Sequence, residues 1–457
     1  MKYQKNKLFA TCTKVYNTIH GTSLKFSNTA QCKAVLAEDD ELLEIIETKN
    51  LAAFNELYAK HWKPKAEFNL RSSKQMSTLM YEILELPIRF RNPATENMKK
   101  KGEQGSPATN EAAIMNALAF RDKPEHKEFL ELLIDHKGYL TKESLFLSKY
   151  PSFVHWKTGK IHPSLRQSNT TTGRFTCSSP NTQQLPKSKG KEYRSMLKAR
   201  EGYSFVALDF TGQELRLAAD DSRDPNFLAC YIGDDKKDPH SLTGLKIANK
   251  RGWNMEYPEF VEQVHNKVAE AKEFRTLGKK INFTCQFGAM APKVGLSLCV
   301  PPEEAQEYID ARAEAFPRLL QRVAEWHKEC KKRKYALTML GRRRHLDGPL
   351  HYGAKDRDKH GDADRLAYSM RIQGSAAEMT KLAMGEIVRQ NFLDHNDDVI
   401  PFAVIHDELV VQIKDELITE ITPKLVKIMC QQYADMIVPM ETEPEAGKLF
   451  GELEEVE

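Results

Sequence analysis

Three acidic residues stand where acids are costly. The run YSFVALD ends at Asp209, and Asp407 and Glu408 interrupt the apolar stretch 402–413. An unpaired carboxylate among Val, Leu and Ile is expensive to bury, so something cationic must balance these groups. An ion pair with Lys or Arg would do so. A pair of divalent cations would do so too, because Mg²⁺ takes one or two carboxylates and completes its shell with water and phosphate oxygens. Two such ions about 3.5–4 Å apart can activate a hydroxyl and stabilise the leaving oxygen of a phosphoryl displacement.

Groups suited to phosphates occur elsewhere in the chain. Arg275, Lys279, Phe283 and Phe287 recur every four residues, which sets them on nearly one face of a helix. Arg and Lys on such a stripe can hold phosphates, and an aromatic ring offers a base a stacking surface. The same stripe also suits an amphipathic helix with its aromatics in the core. His240, in DPHSLT, has an N–H to offer a phosphate. Segment 170–186 (TTTGRFTCSSPNTQQLP) collects hydroxyls, amides and Arg174, side chains that meet phosphates and minor-groove acceptors without reading much sequence.

The elements that must position these residues can be read coarsely. A chain of 457 residues allows about three domains. Apolar spacing predicts a helix over 35–60 and another after the Ser72 N-cap, ended by Pro87. Residues 110–137 predict further helix, stopped by Gly138. Segment 91–107 reads as a basic loop. The texture then changes: a strand ends at Asp209, a helix starts at Gly212, a long helix spans 260–290, and 402–413 forms a tight hairpin with its carboxylates at the turn. Helices, sheet, helical insertion and sheet follow in that order, an α+β arrangement.

Net charge is only +4, but it is segregated. Residues 187–200 carry six basic groups against Glu192, and 328–344 carry eight against Glu329. The tail 441–457 holds seven Glu and one Lys. Two basic blocks, each beside a Gly-containing motif, suggest a phosphate-lined groove. Eight scattered cysteines without a C-x-x-C pair read as reduced thiols of a cytoplasmic protein. No apolar run is long enough to span a membrane, so no membrane partner is expected. Six lysines precede the first acid, Glu38, which leaves an organelle presequence open.

In this order the motifs resemble those of the A family of DNA polymerases. Segment 170–186 resembles T-x-T-G-R-x-x-S-x-x-P-N-x-Q, and DFTGQELR from Asp209 resembles D-Y-S-Q-I-E-L-R. RTLGKKINFTCQFG from Arg275 is similar to the family's nucleotide-binding helix. Arg365 with IQGSAAE, VIHDE ending at Glu408, TMLGRRR and FNLRSSKQ match further landmarks. The resemblance implies a right-hand polymerase fold with an antiparallel palm sheet, helical fingers and a helical thumb. Residues 1–160 would form the thumb with a short N-terminal extension, 161–232 and 346–457 the palm, and 233–345 the fingers.

The resemblance also implies roles. Asp209 and Asp407 would bind two Mg²⁺ ions, with Glu408 assisting. Arg275, Lys279 and His240 would hold the triphosphate of a dNTP, Lys279 also protonating the leaving pyrophosphate. Phe283 would stack on the incoming nucleotide, with Phe287 beside it, and Glu214 would exclude a ribose 2′-OH. Arg174, Asn181, Gln183, Gln373, Arg365 and His406 would lie along primer–template DNA. The implied enzyme is a monomeric DNA-templated DNA polymerase without proofreading or 5′-nuclease domains, served by a separate exonuclease or processivity factor. A virus, phage, plasmid or organelle would suit such an enzyme, in the host cytoplasm if viral. Its alternatives are an RNA polymerase or reverse transcriptase of the same fold, or an inactive clamp on primer–template. Departures bear on local contacts: Gly212-Gln213 replaces Q-I, and Ser369 and Ser188 replace Asn and Arg. Phe287 replaces a Tyr whose hydroxyl would hold Glu214, so weaker exclusion of ribonucleotides is expected.

Overall fold

The structure, a computed structural model, describes residues 71–456 apart from 93, 95–97, 99–101, 121–125, 188–190, 349–350, 355–357, 394–396, 432 and 434. The helix expected over 35–60, the N-terminal lysines, the first residues of FNLRSSKQ and Ser188 lie outside the described residues. Two compact units divide the chain, Met1–Glu85 and Leu86–Glu457. In the first, Ser72 caps a short helix, Ser73–Ser77, by accepting from the Gln75 N–H. A wider turn, Thr78–Ile83, continues it. The chain leaves helix before Pro87, as that residue's fixed φ and missing N–H require.

The second unit begins with α1 (Glu111–Ala119), capped by Asn110, and α2 (Lys127–Lys142). The helix expected over 110–137 is present as these two, and Gly138 does not stop the second. Nothing crowds Gly138, and one glycine costs a helix about 1 kcal/mol, which neighbouring turns absorb. Strands β1 (Ser164–Arg166) and β2 (Thr176–Ser178) then pair as a small ribbon around the polar segment. β3 (Tyr203–Phe210) leads through Gly212, at φ +64°, into α3 (Gln213–Ser222). A left-handed residue at this corner explains the glycine there.

The helical insertion comprises α4 (Pro239–Lys250), α5 (Tyr257–His265), α6 (Ala269–Thr284), α7 (Ala291–Leu298), α8 (Pro302–Ala315) and α9 (Pro317–Arg333). The long helix expected over 260–290 is broken after His265, where Lys267 takes φ +61°. A small hairpin, β4 (Tyr335–Leu337) and β5 (Arg343–His345), follows. Next come α10 (Asp358–Ser369), a wide turn at Met370–Gly374 and α11 (Ser375–Arg389). Then β6 (Val399–Ile405), β7 (Glu408–Lys414), α12 (Ile418–Met429), β8 (Thr442–Gly447) and β9 (Glu454–Glu455) complete the unit.

The main sheet has five antiparallel strands in the order β6-β7-β3-β8-β9. Side chains alternate across it. Val206, Leu208 and Phe210 of β3 join the larger core, with Leu217 of α3, Met379 of α11 and Leu425 of α12. Phe205 and Ala207 face a second cluster with Phe146, Tyr150, Tyr193 and Phe450. By the same alternation Asp209 belongs to this second face, at its end.

Candidate active site

Strand register gathers the acids. Asp209 stands directly opposite Glu408 on β7 and Glu443 on β8, and Ala207 opposite Glu445. Cross-strand partners share a face, so one end of the sheet presents a row of carboxylates. Asp407 joins them from the two-residue turn between β6 and β7, where His406 takes φ +60°. Burial, followed by the charge on Asp209, lifts the Asp407 carboxyl to about 6. Burial also raises Glu408 against the pull of Arg194 and Lys187, and it lowers His406 beside the charges of Arg174 and Arg194.

Two cations offset this row, and their places follow from the segment after 170–186. Arg194 is buried, with Nη1 3.2 and 3.4 Å from the two Glu408 oxygens. Its Nε and Nη2 donate to the Leu185 carbonyl, and its guanidinium lies over the Phe450 ring. Lys187 donates to Asp209 Oδ2 at 2.6 Å, with Glu408 at 3.6 Å and Glu445 at 3.9 Å. Glu408 is thus held mainly by Arg194, and Asp209 by Lys187. Neither cation was singled out by the sequence. Each stood in a basic block, and only register shows what it meets.

The phosphate-binding candidates sit on two helices brought unusually close. A Cβ on Gly278 of α6 would lie 2.3 Å from the His240 carbonyl, and one on Gly244 of α4 would lie 2.7 Å from the Phe274 carbonyl. Only hydrogen fits at either position, so the two glycines set the spacing of α4 and α6. Asp238 caps α4 through the Ser241 and His240 amides and accepts from Arg275 Nε at 2.8 Å. Asn282 fixes the imidazole. Its Nδ2 donates to the Pro239 carbonyl, so the same amide donates to His240 Nδ1 at 3.3 Å. The neutral ring therefore carries its proton on Nε2. Burial holds His240 down to about 4, with the charges of Arg275 and Lys279 adding to the effect. Phe283, 44% exposed, lies 5.6 Å from the His240 ring, whereas Phe287 packs against the main core.

Glu214, in the first turn of α3, accepts a short charge-assisted bond from Arg174. Gln286 donates to its backbone carbonyl, and Arg312 donates to Gln286. The expectation that Phe287 leaves Glu214 loosely held is thus corrected, because a guanidinium supplies the contact that a Tyr hydroxyl was expected to make. Arg216, the last residue of DFTGQELR, is structural. It bonds the Thr211 and Pro439 carbonyls and Glu441, and stacks on Tyr231.

The other candidates divide. Gln183 reaches the Val404 carbonyl at 3.3 Å, beside the hairpin. The Asn181 side chain accepts from the Gln183 amide, capping the turn Thr182–Gln184. Gln373 is bonded by Ser369, which gives the departure at 369 a local partner. Arg365 pairs with Asp362 on its own helix and packs beside Gly288.

Among the described residues no three His, Cys, Asp or Glu side chains form a ready-made metal cage. Mg²⁺ does not need one, since it keeps waters and takes substrate phosphates. The donor set fits it: the hard carboxylate oxygens of Asp209, Asp407 and Glu408 lie together at one end of the sheet. The α+β unit thus carries an acid row at one end of its antiparallel sheet and, in its helical insertion, a close pair of helices bearing Arg275, Lys279, His240 and Phe283. The model of DNA polymerase family A matches residues 40–452, and the chain belongs to that family. It is 28% identical over 384 residues to the thermostable DNA polymerase I of Thermus aquaticus, covering 83% of this chain and 41% of that protein. Against DNA polymerase I of Borreliella burgdorferi it is 25% identical, over 85% and 38%. The chain thus spans about two-fifths of the length of these relatives. Its fold matches the POL domain of Pol1 from M. smegmatis, solved in complex with DNA primer-template and dNTP. That match has a TM-score of 0.67 and 22% identity, over 92% of this chain and 66% of that one. The expected α+β polymerase fold is therefore the fold of this chain. No helix among the described residues is long and apolar enough to cross a membrane.

Proposed function

We propose that the chain is a DNA-templated DNA polymerase that adds dNMP to a primer 3′-OH and releases pyrophosphate. The observation that carries this reading is the meeting of Asp209 with Glu408 across β3 and β7, with Asp407 at the adjoining turn. Asp209 and Asp407 would hold two Mg²⁺ ions, which supply activation of the attacking hydroxyl and stabilisation of the leaving oxygen. Glu408, tied to Arg194, keeps the row in place. Arg275, Lys279 and the neutral His240 Nε2–H grip the triphosphate, and Lys279 passes a proton to pyrophosphate. Phe283 is exposed enough to take the nucleotide face, and Glu214, gripped by Arg174, denies room to a 2′-OH. Arg174, Asn181, Gln183, Gln373, Arg365 and His406 would follow primer–template DNA. In this reading 1–160 is the thumb, 161–232 with 346–457 the palm, and 233–345 the fingers.

Primer extension with Mg²⁺ tests the reading. Wild type should extend a primer, and Asp407→Ala should bind primer–template with near-normal affinity yet add nothing. DNA binding without extension by wild type at any Mg²⁺ or Mn²⁺ concentration would make the chain a clamp instead. Preference for rNTPs would favour the RNA polymerase reading.

A further inference from the structure

The acid row holds a cation of its own. Lys187 places one ammonium within 2.6 Å of Asp209, 3.6 Å of Glu408 and 3.9 Å of Glu445. One positive centre among several carboxylates is the arrangement a bound metal ion adopts. We propose that Lys187 is a resident placeholder at the metal-binding acids, which a divalent cation must displace from Asp209 before it binds. The proposal rests on the reading of Asp209 and Asp407 as metal ligands.

The neighbouring Arg194 shows what a permanent partner looks like here. It is 5% exposed, meets both Glu408 oxygens and is locked by the Leu185 carbonyl and the Phe450 ring. Lys187 differs on each count. Its side chain is 47% exposed, the groups it meets are carboxylates, and it holds Asp209 by a single hydrogen bond. Pairs this open are weak in water and exchange readily. A divalent ion brings twice the charge to the same oxygens, and the four-carbon stem of lysine can withdraw into solvent without disturbing the backbone. In the free protein the ammonium limits repulsion between Asp209 and its cross-strand acids. It also raises the metal concentration needed to load the site.

Mn²⁺ binding to the full chain without DNA or nucleotide, read by electron paramagnetic resonance of the free ion, tests this directly. Lys187→Met should bind Mn²⁺ about tenfold more tightly than wild type, and Lys187→Arg should stay near wild type, since it restores a charge-assisted donor. Asp209→Asn separates the two readings. If it abolishes Mn²⁺ binding while Lys187→Met leaves the affinity unchanged or weaker, the placeholder fails and the metal site stands. If Asp209→Asn binds Mn²⁺ as wild type does, the metal reading fails and the placeholder with it. A measurement on wild type alone covers the case in which Lys187→Met does not fold. Acetylation of Lys187, followed by peptide mass spectrometry, should accelerate when Mn²⁺ is added, and an unchanged or slower rate overturns the proposal.

Discussion

Replacing Arg194 by Met should unfold the sheet's acidic end more readily, and the size of the effect can be worked from the structure. The two side chains are 5% and 3% exposed, and Nη1 lies 3.2 Å from one Glu408 oxygen. At an effective dielectric of about 20, unit charges that close attract by about 5 kcal/mol. Loss of one partner from a buried pair costs about 3–5 kcal/mol, because the other charge stays buried. Lys187 remains 3.6 Å from Glu408 and compensates partly, so the lower end, about 3 kcal/mol, is expected. Met replaces the apolar stem, but it also gives up the guanidinium over Phe450 and the two bonds to the Leu185 carbonyl, which add to the loss of charge. The loss should also depend on pH. Burial already raises the Glu408 carboxyl, and Arg194 opposes that rise. Without Arg194 the folded-state value climbs further above the unfolded one. Stability is then present at low pH and lost as pH rises through the folded value. Urea denaturation followed by circular dichroism should therefore show a larger deficit at pH 8 than at pH 5. Arg194→Met with Glu408→Gln should recover the part of the deficit that comes from the buried charge and keep about 1–2 kcal/mol for the Leu185 carbonyl left without its donors. A deficit below about 1 kcal/mol for the single variant, or one independent of pH, would refute the argument that this pair is buried and mutually dependent.

Gly278→Ala places a methyl 2.3 Å from the His240 carbonyl and must part α4 from α6, so the KM for dNTP should rise several-fold with primer–template affinity unchanged. Arg174→Gln removes the grip on Glu214 and should raise the rNTP/dNTP incorporation ratio about tenfold. Because both nucleotides share one primer–template, any DNA-binding defect cancels in that ratio. His240, held at about 4 in the folded chain against 6.5, contributes stability that is complete above pH 6.5 and lost as pH falls toward 4. The loss is at most about 3 kcal/mol, less for the part of the ring that water reaches, and thermal melts of His240→Gln should lack this acid slope. Phe at 283 implies, by the resemblance to family A, discrimination against dideoxynucleotides, so Phe283→Tyr should relax it, read as chain-termination efficiency; unchanged termination would argue that the exposed ring does not meet the sugar.

Local pattern made some elements legible and left others hidden. The strand ending at Asp209, the helix after Gly212 and the hairpin expected at 402–413, found over 399–414, are visible because their apolar periods and turn residues are local. The stripe from Arg275 to Phe287 was visible for the same reason, although its last residue lies in a tighter turn beyond α6 and packs inward. Helix ends were misread at Gly138 and Lys267. A lone glycine is a weak breaker, and no residue-type rule flags a lysine at positive φ.

What was hidden depends on register and on side chains distant in sequence. Lys187 and Arg194 looked alike as members of one basic block, yet one is sealed against Glu408 and the other stands open over Asp209. The difference follows from which face of β3 carries Asp209, and that is fixed only when β7 and β8 pair with it. Glu214 makes the same point from the opposite direction. The substitution at Phe287 suggested a loosened side chain, because the missing hydroxyl was the one partner a motif could name. Arg174 reaches it across 40 residues of chain. A carboxylate buried this far raises the cost of remaining unpaired, so the loss of one donor favours recruitment of another within reach. In this site, then, a motif departure predicts a change of partner more safely than a loss of function, and ribonucleotide exclusion should follow Arg174 rather than residue 287.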